Sequence, residues 1–229
     1  MSSEIFESKA RDYEFWYSSR RGQRAHESES KLLEWLLQFF PSATSVLEIG
    51  CGTGHFTRWL SPRSLRAIGL DRSPGMLAEL HRISPEVPVV LGDAHRLPMR
   101  DNGIDLVLFV TTLEFLTDPE QGISEAVRVA HQGVILVVLN KWSLSALGRR
   151  MARDRHPLLR HARDLSLASL LRMAKQIGGT RLKGIRWRSS LYPNGLYRAL
   201  APIPVGDVIG MALLLQGVQT QHVAQRARP

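Results

Sequence analysis

Cysteine is almost absent from this sequence: Cys51 is the only one in 229 residues. No disulfide can therefore form within the chain, and no Cys and His residues stand at the spacing of a zinc site. The sequence also lacks an apolar run of the ~20 residues that cross a bilayer, and a charged-then-apolar secretion signal at its start. These absences predict a cytoplasmic protein with no membrane span and no metal.

Acidic residues are scarce in the C-terminal part of the chain. Residues 141–229 contain 16 of the 30 Lys and Arg residues but only three of the 21 Asp and Glu residues. The formal net charge of +9 therefore arises there, and it indicates an anionic partner or surface. With 44% hydrophobic and 22% charged residues, the whole chain has the composition of one globular domain.

Strand-like and helix-like segments alternate along the middle of the chain. Short apolar runs predict strands over 46–49, 67–70, 87–91, 104–110 and 134–139. Capped or amphipathic segments predict helices from the glycines to Leu60 and over 32–40, 74–83, 119–130 and 165–177. The alternation is typical of parallel βαβ crossovers, so we predict an α/β fold with a doubly wound, mostly parallel sheet.

The first of these strands runs into a glycine-rich turn, Gly50-Cys51-Gly52-Thr53-Gly54. Glycines permit positive φ and close approach of the backbone to a ligand. A phosphate-binding P-loop would need Gly-Lys-Ser/Thr, and the dinucleotide fingerprint would need glycine where His55 stands. The turn therefore indicates a nucleotide-like ligand of another kind.

Carboxylates stand at the ends of three successive strands: Glu48, Asp71 and Asp93. A carboxylate in front of the glycine turn would repel a pyrophosphate but can bind an ammonium group. Asp71 is placed to accept hydrogen bonds from both ribose hydroxyls. Asp93 and the backbone N–H of Ala94 can bind an adenine edge. Three acidic strand ends indicate a cationic adenosine derivative as the ligand.

Four segments in this order resemble the motifs of class I S-adenosylmethionine-dependent methyltransferases, in particular the small-molecule group similar to methyltransferase domain 11. They are 47–54 (Leu-Glu-Ile-Gly-Cys-Gly-Thr-Gly), 69–77, 92–98 and 104–116. The resemblance covers residues 46–139. It implies a seven-stranded Rossmann-like sheet whose last two strands, 181–188 and 208–215, form an antiparallel pair. It also implies S-adenosyl-L-methionine as the cofactor.

The resemblance further implies roles for individual residues. Gly50, Gly52 and Gly54 would line the methionine part of the cofactor, and Glu48 would lie near its ammonium group. Asp71 would bind the ribose, and Asp93 with Ala94 would bind the adenine. The remaining expected cofactor contacts are Arg72, Met76 and Leu97 beside the adenine, Thr111 in the turn after the fourth strand, and Tyr13.

Methyl transfer from a sulfonium is an in-line displacement, so positioning can supply most of the catalysis. Glu114 and Tyr13 are the candidate catalytic residues. Glu114 either orients or deprotonates the acceptor, or caps the helix that follows it. Tyr13 either covers the cofactor as part of a lid with Trp16 and Tyr17, or belongs with them to an aromatic stripe packed on the sheet edge. His26 is a further candidate within that lid.

We predict one methyltransferase domain over the whole chain. It comprises an N-terminal helical lid (1–41), a cofactor-binding core (42–140), a basic substrate-side insertion (141–164), a C-terminal helix with two strands (165–215) and a polar tail (216–229). The predicted reaction is methyl transfer to a small, anionic or lipid-like acceptor. The alternatives are a tRNA or rRNA methyltransferase, with RNA or a membrane surface bound by the basic region 141–188, and a non-catalytic S-adenosylmethionine-binding protein.

Overall fold

The computed structural model of the chain describes residues 10–63, 65–142, 162–163, 165–190 and 206–216. Six α-helices lie in these residues: α1 Ala10–Ser18, α2 Arg20–Leu37, α3 His55–Leu60, α4 Pro74–Ile83, α5 Pro119–Val129 and α6 Leu167–Gly178. The strands in the same residues are β1 Ser45–Ile49, β2 Arg66–Asp71, β3 Val89–Leu91, β4 Ile104–Val110, β5 Ala130–Leu139, β6 Leu182–Ser190 and β7 Val208–Leu215.

Within the described ranges, these strands form one seven-stranded sheet in the order β3-β2-β1-β4-β5-β7-β6. Strands β1 to β5 pair in parallel, and β7 lies antiparallel between β5 and β6. The predicted α/β sheet and its antiparallel last pair are therefore confirmed. The strand order reverses between β1 and β4, and such a switch point opens a ligand crevice at the carboxyl ends of the strands.

Side-chain caps start the two helices that follow β2 and β4. The Ser73 hydroxyl accepts a hydrogen bond from the Met76 N–H (3.3 Å), and Pro74 occupies the first helical position of α4. The Asp118 carboxylate accepts from the Gln121 N–H (3.0 Å) and starts α5 in the same way. These local signals explain why both helices begin where the sequence predicts them.

Two strand boundaries differ from the prediction. β5 begins at Ala130 rather than at residue 134, because α5 ends at Val129 and the backbone of Ala130 is already extended (φ −72°, ψ 134°). β3 begins at Val89 rather than at residue 87, because the N–H of Val87 closes a turn onto the Ser84 carbonyl and Pro88 has no N–H to donate.

The N-terminal region forms two helices where the sequence predicted one over 32–40. α2 begins at Arg20 after the cap Ser19 and ends at Leu37, before Pro41. Its buried face packs on the antiparallel half of the sheet, where a Cβ placed on Gly210 would lie 2.6 Å from Leu32 Cγ. α2 therefore covers the half of the sheet that lies beyond β4.

The predicted basic insertion falls mostly in 143–161, and the predicted polar tail mostly in 217–229; both segments lie outside the described residues. Among the helices that are described, none is both long and apolar enough to cross a membrane.

Candidate functional site

The glycine-rich turn joins β1 to α3 with three glycines in the left-handed region. Gly50, Gly52 and Gly54 have φ of +68°, +55° and +75°. A Cβ on Gly50 would lie 2.2 Å from the Thr112 side chain, and one on Gly54 would lie 2.3 Å from Leu80, so packing also requires glycine at both positions. A Cβ on Gly52 would find only ordinary contacts, the nearest being Tyr13 Cε1 at 3.6 Å. Of the three, Gly52 is the one that faces the lid.

Asp71 connects this turn to the end of β2. One carboxylate oxygen accepts from the Gly52 N–H (2.8 Å), and the other accepts from the Ser73 N–H (2.9 Å). Burial raises the pKa of Asp71 in spite of these hydrogen bonds, which lower it. A carboxylate has about four acceptor positions, so Asp71 can order the turn and still accept hydrogen bonds from a ribose.

Glu48 lies on β1 directly beneath the turn. Its side chain is 3% exposed and accepts a hydrogen bond from the Thr57 hydroxyl of α3. Burial raises the pKa of Glu48 to about 8, and the nearby charge of Asp71 adds to this effect. A cationic group that enters the site would favour the ionised form of this carboxyl.

The residues expected around the adenine lie at the ends of β2 and β3. Asp93 is largely exposed, and one of its oxygens accepts from the His95 N–H (2.9 Å), which lowers the pKa of the carboxyl. Ala94 and Leu97, which follow it in the chain, are buried, as is Met76 near Gly52, whereas Arg72 is exposed. The structure therefore brings an exposed carboxylate together with an apolar wall, which suits the edge and face of a planar ring.

The turn after β4 contains a strained residue. Thr111 has φ of +47°, which is unfavourable for a β-branched side chain. Its N–H donates to the Val137 carbonyl of β5 (2.8 Å). The Thr112 hydroxyl donates to the Val110 carbonyl (3.0 Å) and packs against Gly50. Strain of roughly 1–3 kcal/mol at a strand end beside a glycine turn is typical of functional sites.

Glu114 does not cap the following helix, so that alternative was wrong. Asp118 caps α5, while Glu114 lies in the 3-10 turn Leu113–Phe115 and is completely buried. Its carboxylate accepts from the Leu139 N–H at the end of β5. Glu114 is thus fixed between the carboxyl ends of β4 and β5, on the side of the sheet away from the expected adenine.

Helix α1 covers the glycine turn. The Glu14 carboxylate accepts from the Thr53 hydroxyl (2.7 Å) and pairs with Arg58 (2.6 Å). These contacts place the Tyr13 ring over Gly52, as expected for a lid residue. The expected packing of Trp16 on the sheet edge was wrong: Trp16 is 41% exposed, and Tyr17 is the buried aromatic of this helix.

Glu29 and His55 had no predicted role, whereas Tyr17 was expected in the lid or the aromatic stripe and His26 was a candidate within the lid. The two histidines are hydrogen-bonded (Nδ1 to Nε2, 2.7 Å), and Tyr17 stacks on His55. Burial and the neighbouring His26 lower the pKa of His55 to about 4. Glu29 is buried on α2, and its Oε2 has no hydrogen-bond partner in the described part of the chain. The sequence did contain a signal for the burial of Glu29, because residues 29, 32, 33 and 36 share one face of a helix.

The assembled site is an acidic crevice at the carboxyl ends of β1, β2 and β4. The glycine turn forms one wall, the lid helix α1 covers it, and Glu114 with the buried face of α2 lies on the far side. A sheet with this strand order and an antiparallel β7, carrying its site at the switch point, defines the class I methyltransferase fold.

Comparison with known proteins agrees with this class. Residues 47–138 match the methyltransferase domain family. An uncharacterized methyltransferase of Mycobacterium tuberculosis is 34% identical over 113 residues, which are 49% of this chain and 44% of that protein. Malonyl-[acyl-carrier protein] O-methyltransferase of Serratia marcescens is 27% identical over 79% of this chain and 65% of its own length. The chain thus spans less than half the length of the mycobacterial relative.

A solved structure from Thermotoga maritima has the same fold. It is described as a SAM-dependent methyltransferase, possible histamine N-methyltransferase, and has a TM-score of 0.75 at 24% identity. The superposition covers 92% of this chain and 98% of that one. Over residues 47–138 the chain thus matches the methyltransferase domain family, and the described chain has the class I methyltransferase fold, as the four motifs predict.

Proposed function

We propose that the chain binds S-adenosyl-L-methionine in the crevice between the glycine turn and the ends of β2 and β3, and transfers its methyl group to a small-molecule acceptor. When bound, this cofactor supplies a methyl group activated by a sulfonium. The chain's own residues bind and orient it, and they exclude water from the reaction. No general acid or base is obligatory in such a displacement.

The observation that carries the proposal is the contact between Asp71 and Gly52. It places a carboxylate at the end of β2 against an open, positive-φ turn, with Glu48 buried beneath and Met76 beside it. This donor set fits a cation that carries a ribose and an ammonium group. It fits a pyrophosphate poorly, because the Asp71 carboxylate would repel the phosphate charge and the Glu48 carboxyl would be forced to stay neutral.

Calorimetric titration of the purified chain with S-adenosylmethionine tests the proposal. Asp71→Ala should weaken binding by roughly tenfold to a hundredfold, since it removes charged hydrogen bonds worth about 1.5–3 kcal/mol. Glu86→Ala, a change at an exposed residue before β3, is the matched control and should bind like the wild type. No measurable binding by the wild type would refute the proposal, and unchanged affinity in Asp71→Ala would refute the assignment of the ribose site.

The acceptor is a small molecule in this proposal. The related Serratia protein is named a malonyl-[acyl-carrier protein] O-methyltransferase, and the Thermotoga structure is described as a possible histamine N-methyltransferase. The basic residues that predicted an anionic acceptor lie mainly in 143–161, outside the described residues, so that expectation stays a prediction. The described side chains that the cofactor does not use include two buried carboxyls, Glu29 and Glu114, which favour a cationic acceptor.

A further inference from the structure

Two buried carboxyls, Glu29 and Glu114, lie outside the group of residues assigned to the cofactor. Glu29 is 4% exposed and Glu114 is 0% exposed. One comes from α2 and the other from the turn after β4, so the pair joins two elements that are distant in sequence. The cofactor assignment above uses Glu48, Asp71 and Asp93 and leaves this pair without a role.

The packing of α2 places the two carboxyls at the same end of the sheet. Phe40, just after α2, packs against Gly133 near the start of β5. Earlier in the helix, Leu36 and Leu32 pack against Gly210. Gly210 pairs with Val137, near the end of β5. Moving back along α2 therefore leads toward the carboxyl end of β5. Glu29 lies about 4.5 Å before Leu32 along the helix axis. This brings it toward Leu139, whose N–H donates to Glu114.

The electrostatics of the pocket agree with this placement. Burial raises the pKa of Glu29 to about 8, and the charge of Glu114 adds to the effect, as expected for two carboxyls at the same end of the sheet. Burial also raises the pKa of Tyr13 to about 12, and the charges of Glu29 and Glu48 both contribute.

Glu29 also has an unused hydrogen-bonding atom. Its Oε2 is buried and makes no hydrogen bond to any described residue. Leaving such an atom unsatisfied costs about 1–3 kcal/mol, so a buried polar group of this kind is expected to have a partner in the working state. A negatively charged group cannot be that partner, because the charge of Glu114 already disfavours the ionised form of Glu29.

We propose that Glu29 and Glu114 bind the amino group of a cationic acceptor, and that the chain is an N-methyltransferase for small amines. This inference rests on the proposed function. An ammonium group supplies the missing donor and offsets both buried charges, whereas an anionic acceptor would add a third negative charge.

The cationic acceptor favours the ionised form of Glu29, which releases its proton to solvent as the ammonium ion binds. The ammonium ion then gives one proton to the Glu29 carboxylate. The freed nitrogen lone pair forms the new N–C bond, while the C–S bond of the sulfonium breaks and its electron pair returns to sulfur. The products are the N-methylated ammonium ion and the thioether S-adenosylhomocysteine, with the proton left on Glu29.

Charge-sorted acceptors provide the first test. A metabolite extract is separated by ion exchange into cationic, neutral and anionic fractions, and each is incubated with the full chain and S-adenosylmethionine labelled in the methyl group. We expect label in the cationic fraction only. Label mainly in the anionic or neutral fraction, or in none of them, would overturn the proposal.

Variants provide the second test. Glu29→Gln keeps the shape of the side chain and should lower labelling of the cationic fraction by roughly tenfold to a hundredfold. Its affinity for S-adenosylmethionine, and its melting temperature at pH 5, where Glu29 holds its proton in the folded chain, should stay close to the wild type. The control Glu27→Gln, at an exposed position of the same helix, should change neither quantity. Equal labelling by Glu29→Gln and wild type would remove Glu29 from the acceptor site.

A binding measurement separates this inference from the proposed function. With S-adenosylhomocysteine present, millimolar phenethylamine should raise the melting temperature of the wild type, and phenylacetate should not. Glu29→Gln should lose the response to the amine. If S-adenosylmethionine does not bind at all, the proposed function fails. If it binds but phenylacetate stabilises the protein and phenethylamine does not, only the amine proposal fails.

Discussion

A carboxyl buried next to another carboxyl makes the stability of a protein depend on pH, and Glu29 is such a group. Its pKa is raised by burial and by Glu114 from 4.5 to about 8, so the folded chain keeps a proton that the unfolded chain releases. Stability from this group is therefore fully present below pH 4.5 and is lost as the pH rises toward 8.

Glu29→Gln should remove this dependence, because an amide does not ionise. Urea unfolding at pH 5 and pH 9 measures the effect. We expect similar free energies of unfolding for variant and wild type at pH 5, and a variant that is more stable by a few kcal/mol at pH 9, at ~1.4 kcal/mol per pKa unit. In Glu27→Gln the difference should be constant over this range, because Lys31 lowers the pKa of Glu27 below its usual value.

If Glu29→Gln and wild type lost stability in parallel between these pH values, Glu29 would not be the buried ionising group. Glu48 also has a pKa raised to about 8 and stays in both proteins, so it contributes equally to the two curves and cancels from their difference.

Residue types at strand ends were predictable, but their partners were not. The acidic residues Glu48, Asp71 and Asp93 follow apolar runs and could be placed at one edge of a parallel sheet from the sequence alone. The hydrogen bond from the Gly52 N–H to Asp71 depends on how the glycine turn packs against the end of β2, which the sequence does not show. The placement of Glu29 near Glu114 was not predicted, because the two residues are 85 positions apart and no local sequence pattern indicates such a placement.

At the scale of elements, α2 and β7 meet through a glycine. A Cβ on Gly210 would lie 2.6 Å from Leu32 Cγ and 2.9 Å from Leu36 Cδ1, which is closer than packed atoms allow. Gly210→Ala should therefore destabilise the fold by about 1–3 kcal/mol, the usual cost of overpacking a core. Gly184→Ala in β6 is the control, since its Cβ would meet nothing nearer than 3.8 Å.

Thermal unfolding of both variants checks this prediction. A clear loss of melting temperature in Gly210→Ala, with little change in Gly184→Ala, would support the close packing of α2 on the antiparallel strands. Equal melting temperatures in the two variants would mean that α2 lies farther from β7, and the position derived for Glu29 would then lose its basis.

The lid helix α1 is attached to the glycine turn mainly by polar contacts. Glu14 pairs with Arg58 at 2.6 Å with both side chains about three-quarters buried, and it also accepts from Thr53. Glu14→Gln should loosen α1 without unfolding the sheet. We expect trypsin cleavage after Arg20 or Arg21 to become roughly fivefold faster, because a loss of about 1 kcal/mol in the attachment of α1 raises its detached population by that factor. The melting temperature should change little.

The control for this lid prediction is again Glu27→Gln. It removes an ion pair to Lys31 in which both side chains are 52% exposed, and such pairs contribute little. Cleavage at the wild-type rate in Glu14→Gln would show that Tyr13 is kept over Gly52 by other contacts.

The elements themselves followed from the sequence more closely than the helical lid did. Ser73-Pro74 and Asp118-Pro119 start helices through local caps, and α4 begins where those signals predict it. The break between α1 and α2 at Ser19 was not predicted, although Ser19 caps α2 as Ser73 caps α4. The apolar spacing in this region begins only at Leu32, so the pattern did not indicate where α2 starts.

The whole molecule divides its charge unevenly. Residues 1–140 contain 18 of the 21 acidic residues, including the buried carboxyls of the crevice, whereas residues 141–229 contain 16 of the 30 basic ones. A cationic cofactor and a cationic acceptor both suit the first part. The positive charge of residues 141–229 then has no role in the reaction proposed for the crevice, and contact of this region with RNA or a membrane surface stays a separate prediction.

If the basic region acts apart from the crevice, the chain should bind RNA without methylating it. Contacts with about five phosphates, at a slope of ~0.7 each, would lower the affinity by roughly two orders of magnitude between 50 and 200 mM salt. Replacing Arg149, Arg150, Arg153 and Arg155 by Gln should flatten this dependence and leave S-adenosylmethionine affinity unchanged. Filter binding of total tRNA and transfer of labelled methyl groups measure the two effects. Label in the RNA would instead favour a tRNA or rRNA methyltransferase, because the crevice would then receive a base carried in by the basic region.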